Sequence, residues 1–299
     1  MAKYSLFRIP LLFAVVGAAL LQAACGGGGD GVGSGGTGII NGAVVKGPVA
    51  NATVSAYAVA GGRIGTAIGS ATTDGNGNFT LPIGSYSGPL MLQASAGTFR
   101  DEATGTLMTM ASSDVMTAAL PSVASGAAVS GIHVTPLTSM AQTRALQMTG
   151  GMTDANIAAA NIAMGNYFSV SDILRVAPMN PVLPGSGAAA STDARNYGMT
   201  LAAMSQYTLS IGLANTSALV TAMMNDASDG MMDGKNGSSP ISMTMREGRE
   251  SFWMAPTAGT SGLATGMTNF VMSPANKSGL TATDVAPLVQ KLSSFNGKL

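Results

Sequence analysis

A chain of 299 residues, 46% of them apolar, can bury one sizeable core or two. Charged residues make up 9%, against about 25% in ordinary soluble domains, and basic and acidic residues balance at fourteen each. No basic face is available to neutralise phosphates, which argues against a nucleic-acid partner, and no block of like charge forms an electrostatic tail.

At the N-terminus, Lys3 and Arg8 bracket a short positive region, and residues 11–24 (LLFAVVGAALLQAA) are apolar apart from Gln22. That run is too short to span a hydrocarbon core as a helix but suits the h-region of a signal peptide. Cleavage follows small residues, and Ala23 and Ala24 directly precede Cys25, the single cysteine. Loss of Lys3 and Arg8 with such a leader leaves twelve basic residues against fourteen acidic. Residues 26–38 (GGGGDGVGSGGTG) have the composition of a flexible coil, with a typical end-to-end distance of about 20 Å.

The order LLQAAC followed by glycines resembles the lipobox of bacterial lipoproteins, whose cysteine receives a diacylglycerol and becomes the new N-terminus. The resemblance implies attachment to a membrane through a lipid anchor on Cys25. Gly26, rather than Asp, after the cysteine implies sorting to the outer membrane, on its periplasmic or surface face. The sequence departs from the family at Gln22, where Leu is usual and Leu21 stands one place further out. A secreted or periplasmic protein cleaved at Ala23 or Ala24 is the alternative.

Beyond the linker the pattern alternates with period two, which predicts strands. Ile40, Gly42 and Val44 share one face, Pro48 forces a turn, and residues 52–59 (ATVSAYAV) form a second strand. Residues 64–72 and 79–83 flank DGNGN at 74–78, the strongest hairpin signal in the chain, and residues 90–96 follow as a further strand. Short strands with turn signals every 8 to 12 residues indicate a β-sandwich. The stretches NGAVVKGPVANATVSAYAV and ATTDGNGNFTLPIGSYSGPLMLQA resemble the carboxypeptidase regulatory-like, prealbumin-like β-sandwich. That family implies a spacer, stalk or appended module without catalytic residues.

From Val134 the period becomes helical. Thr135-Pro136 is an N-cap followed by proline at the first helical position, and Leu137, Met140, Ala141, Ala145 and Met148 line one face. Thr153 caps a second helix with Ile157, Ala160 and Met164, ended by Gly165. Residues 176–191 read as a loop, and Tyr197, Leu201, Met204, Thr208 and Ile211 mark the clearest helix. Further helices start at Thr216, around Leu263 and at Thr283, the last with Pro287 in its first turn. The region built on VTPLTSMAQTRAL, YGMTLAAMSQ and DASDGMMDG resembles a helical part of uncharacterised bacterial lipoproteins, which implies no substrate. The organisation read from the chain is a signal peptide (1–24), lipidated cysteine and linker (25–38), β-sandwich (39–133) and helical domain (134–299). The fold class is α+β, an antiparallel sandwich followed by a mainly helical domain.

The chemistry of the side chains excludes more than it includes. His133, the single histidine, sits in an apolar strand-like run without a G-x-S-x-G elbow and reads as structural. A mature fold without cysteine excludes Cys/His zinc sites, and no phosphate loop or dinucleotide fingerprint is present. Asp226, Asp229, Asp233 and Asn236 gather hard oxygen ligands at short spacing, as Ca²⁺ requires. Their register departs from a calcium loop, with Met231 at the third position and no Glu at the twelfth. The alternative is a helix end followed by Asp-Gly turns. Twenty-one methionines raise Cu(I), with Met108-x-Met110 and Met243-x-Met245 suitably spaced, against use in place of Leu in cores. The REGRE run at 246–250 reads as a solvated charge cluster. Three functions fit: a non-enzymatic lipid-anchored envelope protein for display, binding or structure, with an envelope protein or glycan as partner; a Ca²⁺ or small-ligand module; and a hydrolase using carboxylates.

Overall fold

The structure, a computed structural model, describes residues 37–110, 114–213, 215–244 and 251–299. The leader, Cys25, nearly all of the linker, Met245 and the REGRE run lie outside the described residues. Strands fill the first half and helices dominate the second.

β1 (Gly38–Val44), β2 (Thr53–Ala60), β3 (Arg63–Thr72), β4 (Asn78–Gly84) and β5 (Gly88–Ser95) stand where the alternation predicts strands. β6 (Thr98–Arg100), β7 (Leu107–Thr109), β8 (Val115–Val123) and β9 (Ala128–Val134) complete this half. One sheet has the order β4-β1-β9 and the other β3-β2-β5-β8, with β6 and β7 as a separate hairpin. Pro82 and Pro121 lie on the edge strands β4 and β8, where a missing N–H costs no ladder bond on the open side.

Two features differ from the sequence reading. The DGNGN turn forms, with the Asp74 carboxylate accepting from the N–H groups of Asn76 and Asn78, but it joins strands of different sheets. Thr73 turns the corner: its hydroxyl donates to the Val49 carbonyl and accepts from the Ala52 N–H, so β3 stays on β2 while β4 crosses to β1. The pairing is antiparallel except between β1 and β9, which is parallel. β9 leaves its sheet at the same end as β1, bringing Val134 beside Val45 and delivering Thr135 to its capping position.

Inward-facing residues of both sheets, Ile40, Val54, Ala56, Leu81, Leu92, Ala118 and Ile132 among them, meet in one core. Each large aliphatic side chain contributes about 1.5–3 kcal/mol by leaving water. The opposite face of the four-stranded sheet is buried as well. Val59, Met91 and Ala119 belong to the core of the helical half.

α1 (Pro136–Gln147) starts with a capping box in which Thr135 and Thr138 exchange bonds, and α2 (Asp154–Phe168) starts at its Thr153 cap. α2 runs past Gly165 to end at Ser169, in a left-handed conformation. α3 (Thr192–Ser210) buries Tyr197, Leu201, Met204 and Thr208 as its spacing predicts. α4 (Thr216–Ala227) is capped by Asn215. Short pieces follow that the sequence pattern does not announce: β10 (Lys235–Asn236) with β11 (Ser239–Pro240), β12 (Ser242–Thr244) with β13 (Ser251–Trp253), and a π-type turn at Ala258–Gly262. α5 (Leu263–Met272) and α6 (Ala282–Ser294) close the chain. α6 begins at a Thr281–Asp284 capping box, which places Pro287 in its second turn. The Thr283 carbonyl thereby loses its helical donor, at little cost because both residues face water. Among the described residues no helix is long and apolar enough to cross a membrane.

Candidate functional site

Three of the few charged side chains are buried together where the strands meet the helices. The turn after β1 supplies Lys46, the loop between β6 and β7 supplies Asp101 and Glu102, α3 supplies Ser205 and the first turn of α4 supplies Thr216. Lys46 Nζ forms an ion pair with Glu102 Oε2 and donates to Ser205 Oγ at 2.6 Å. Ser205 Oγ lies 2.8 Å from Asp101 Oδ2 and 2.6 Å from Glu102 Oε2, and Thr216 Oγ1 donates to Asp101 Oδ2 at 2.8 Å. Asp101 Oδ1 accepts from the N–H groups of Ala103 and Thr104 and from the Thr104 hydroxyl. All three ionisable groups are at most 3% exposed. Burial alone would raise the Asp101 pKa, but Lys46, the hydroxyls of Ser205 and Thr216 and the Thr104 N–H outweigh it. The carboxyl is held below the usual range and stays charged.

Ser205 and Lys46 have the spacing of a nucleophile and its base. Lys46 is paired with Glu102, however, and the serine is buried. No residue of this hub carries a sequence motif. The nearest signals are the scarcity of charge and the apolar neighbours Val44, Val45 and Val49 around Lys46. Clefts flank the hub on two sides. One of about 220 Å³ opens between the β6–β7 loop and the facing parts of α3 and α4, with Asp101, Ser205 and Thr216 in its wall. Another of about 310 Å³ runs past Glu102 between Leu107 and Leu183, both more than half exposed.

The four residues proposed for Ca²⁺ do gather at the end of α4, but their carboxylates face N–H donors. Asp226 is fully buried, and its Oδ1 accepts from the N–H groups of Asp233, Gly234 and Lys235 at 2.9, 2.7 and 3.2 Å. Its Oδ2 is buried with no hydrogen-bond partner. Burial pushes its pKa up to about 7, against the pull of those three donors and with some help from the Asp233 charge. Asp229 accepts from Met231 and Gly237, and Asp233 from Lys235, while Asn236 is exposed in β10 opposite Ser239. Among the described residues no three His, Cys, Asp or Glu side chains are placed to hold a metal ion.

His133 is half-buried beside the loop that follows α2. Its N–H donates to the Leu174 carbonyl, and ring Nδ1 lies 3.3 Å from the same oxygen. Burial lowers its pKa, against the Leu174 and Gly131 carbonyls and the Asp172 charge, so the ring is neutral at pH 7. Met140, Met164, Met204, Met223 and Met267 are buried in the helical core, in contact with apolar side chains.

No protein-family model and no curated protein matches the chain. Among solved structures, a 9R-lipoxygenase from Cyanothece PCC8801 aligns at 13% identity with a TM-score of 0.21. That alignment covers 32% of this chain and 16% of the lipoxygenase, a likeness too slight to carry an argument about fold or activity.

Proposed function

We propose that this is a non-enzymatic protein of the bacterial cell envelope, tethered to the outer membrane by a lipid on Cys25 and serving in display, binding or structure. The observation that carries the reading is the order of leader, Ala23-Ala24-Cys25 and glycine linker ahead of β1. The finer fold assignment belongs to the same reading: a prealbumin-like β-sandwich followed by a helical domain. The shared core of the two sheets supports it, and so does the change from strands to helices at Thr135. Against catalysis stand the neutral, backbone-bound His133, the lysine held by Glu102 and the Asp226 loop closed on its own N–H groups.

Labelling with palmitate tests the anchor. Cys25→Ser is expected to abolish incorporation and to release the protein from the membrane fraction. Membrane attachment unchanged in that variant would sink the anchor and leave secretion as the alternative. A second reading, a small-ligand module, is favoured by the clefts beside the hub. The calcium form of it has less support, since Asp226 Oδ1 and both oxygens of Asp229 accept from N–H groups.

A further inference from the structure

The hub contains one lysine and two carboxylates, all buried, so its formal charge is negative. Lys46 and Glu102 face each other, which leaves the excess on the side of Asp101. That side forms the wall of the cleft of about 220 Å³.

Apart from Thr106, whose side chain is exposed, the hydroxyls around this cleft point their protons away from it. Thr216 donates to Asp101 Oδ2 and Thr104 to Asp101 Oδ1, and Thr208 donates to the Met204 carbonyl one turn back in α3. Ser205 accepts from Lys46 and has its single proton directed at the carboxylates. A hydroxyl whose proton is committed offers only lone pairs. Apart from Thr106, the polar lining is therefore a set of acceptors, backed by a hub whose formal charge is negative. Such a lining rejects anions and favours a ligand that is all donor and cationic. Met108, Leu209 and Leu213 supply an apolar wall that a bare metal ion would not use but a methylene chain would cover.

We propose that the cleft between the β6–β7 loop and the facing parts of α3 and α4 binds a primary alkylammonium group, its –NH₃⁺ against Thr104, Thr208 and Thr216 and its stem along Met108 and Leu213. A lysine side chain of a partner protein and a free aliphatic diamine share this chemistry. The proposal goes beyond the envelope assignment and stands whether or not Cys25 is lipidated.

Calorimetric titration of the full chain in detergent, with n-butylammonium, n-butanol and tetramethylammonium as probes, tests it. Saturable one-to-one binding is expected for n-butylammonium. About tenfold or greater weakening is expected for the neutral alcohol and for the cation without N–H groups. Thr208→Val removes an acceptor whose proton serves only its own helix, so it should fold normally and bind several-fold more weakly. Thr216→Val should also weaken binding, and Asp101→Asn should abolish it. Nα-acetyl-lysine amide and putrescine then distinguish a protein side chain from a free amine, and tighter binding of either one supports the class. Equal binding of butanol, displacement by K⁺ at matching concentration, no saturable heat, or wild-type affinity in Thr208→Val and Thr216→Val together would each overturn it.

Discussion

A single charge decides much in a chain with so few. Lys46 is buried against Glu102, so removing either partner leaves the other unpaired in a low-dielectric interior. Glu102→Gln is expected to cost about 3–5 kcal/mol in denaturant unfolding, far more than the loss of an exposed pair such as Arg175 with Asp172. Asp226 acts in the opposite sense. Its folded pKa of about 7 lies above the ordinary 3.8, so the folded state binds the proton more tightly than the unfolded one. Its contribution to stability is complete below the ordinary value and is lost as pH rises through about 7. Asp226→Asn, neutral at every pH, should remove that slope in thermal unfolding and match or exceed the wild type in mildly alkaline buffer. His133 slopes the other way, losing stability as pH falls below the ordinary histidine value, so a His133→Gln background isolates the Asp226 effect. The sequence marked Asp226 through its spacing to Asp229 and Asp233. It could not mark Lys46, Asp101 and Glu102, because no local pattern relates a turn residue to a hairpin loop dozens of positions away.

Elements were legible where their periodicity is local. The helices α1 to α3 and the strands β1 to β5 follow from the spacing of apolar residues and from caps. The pieces from β6 to β9 were harder to read individually, because β8 is buried on both faces and shows no alternation. Pairing was the least legible feature. DGNGN reports a turn, and only the Thr73 contacts decide that its two strands part company. One junction between elements depends on backbone approach. Gly62, in the β2–β3 turn, and Gly151, after α1, both have positive φ and meet so closely that a Cβ on Gly62 would lie 1.9 Å from the Gly150 carbonyl oxygen. A Cβ on Gly151 would lie 2.3 Å from the Gly62 carbonyl oxygen. Gly151→Ala should therefore destabilise by at least about 1–3 kcal/mol, whereas Gly61→Ala, with open space around it, should cost only its backbone strain. Paired denaturant curves separate the two.

Across the whole molecule, the four-stranded sheet has no face left for water over Val59, Met91 and Ala119, which the helices cover. The boundary read at residues 133 and 134 is thus a change of secondary structure across which the packing continues. Calorimetry is expected to show one cooperative transition for the described body. A fragment ending at Val134 should bind hydrophobic dyes and aggregate, since its outer sheet face and the hub would both be open. Two separated transitions would count against this coupling. Sequence reading found the change of period at Thr135 but not the shared face, because Tyr57, Val59 and Met91 look like ordinary outward residues of a strand.

The hub also sets an order of assembly. Lys46 waits for Ser205, a partner 159 positions further along, and Asp101 waits for Thr216, 115 positions on. As the chain emerges from a ribosome or a translocation channel, the strand half comes first, with its buried charges still unmatched. The native hub cannot close before the arrival of α4. Five side chains thus make completion of the strand half conditional on delivery of the last of them, Thr216.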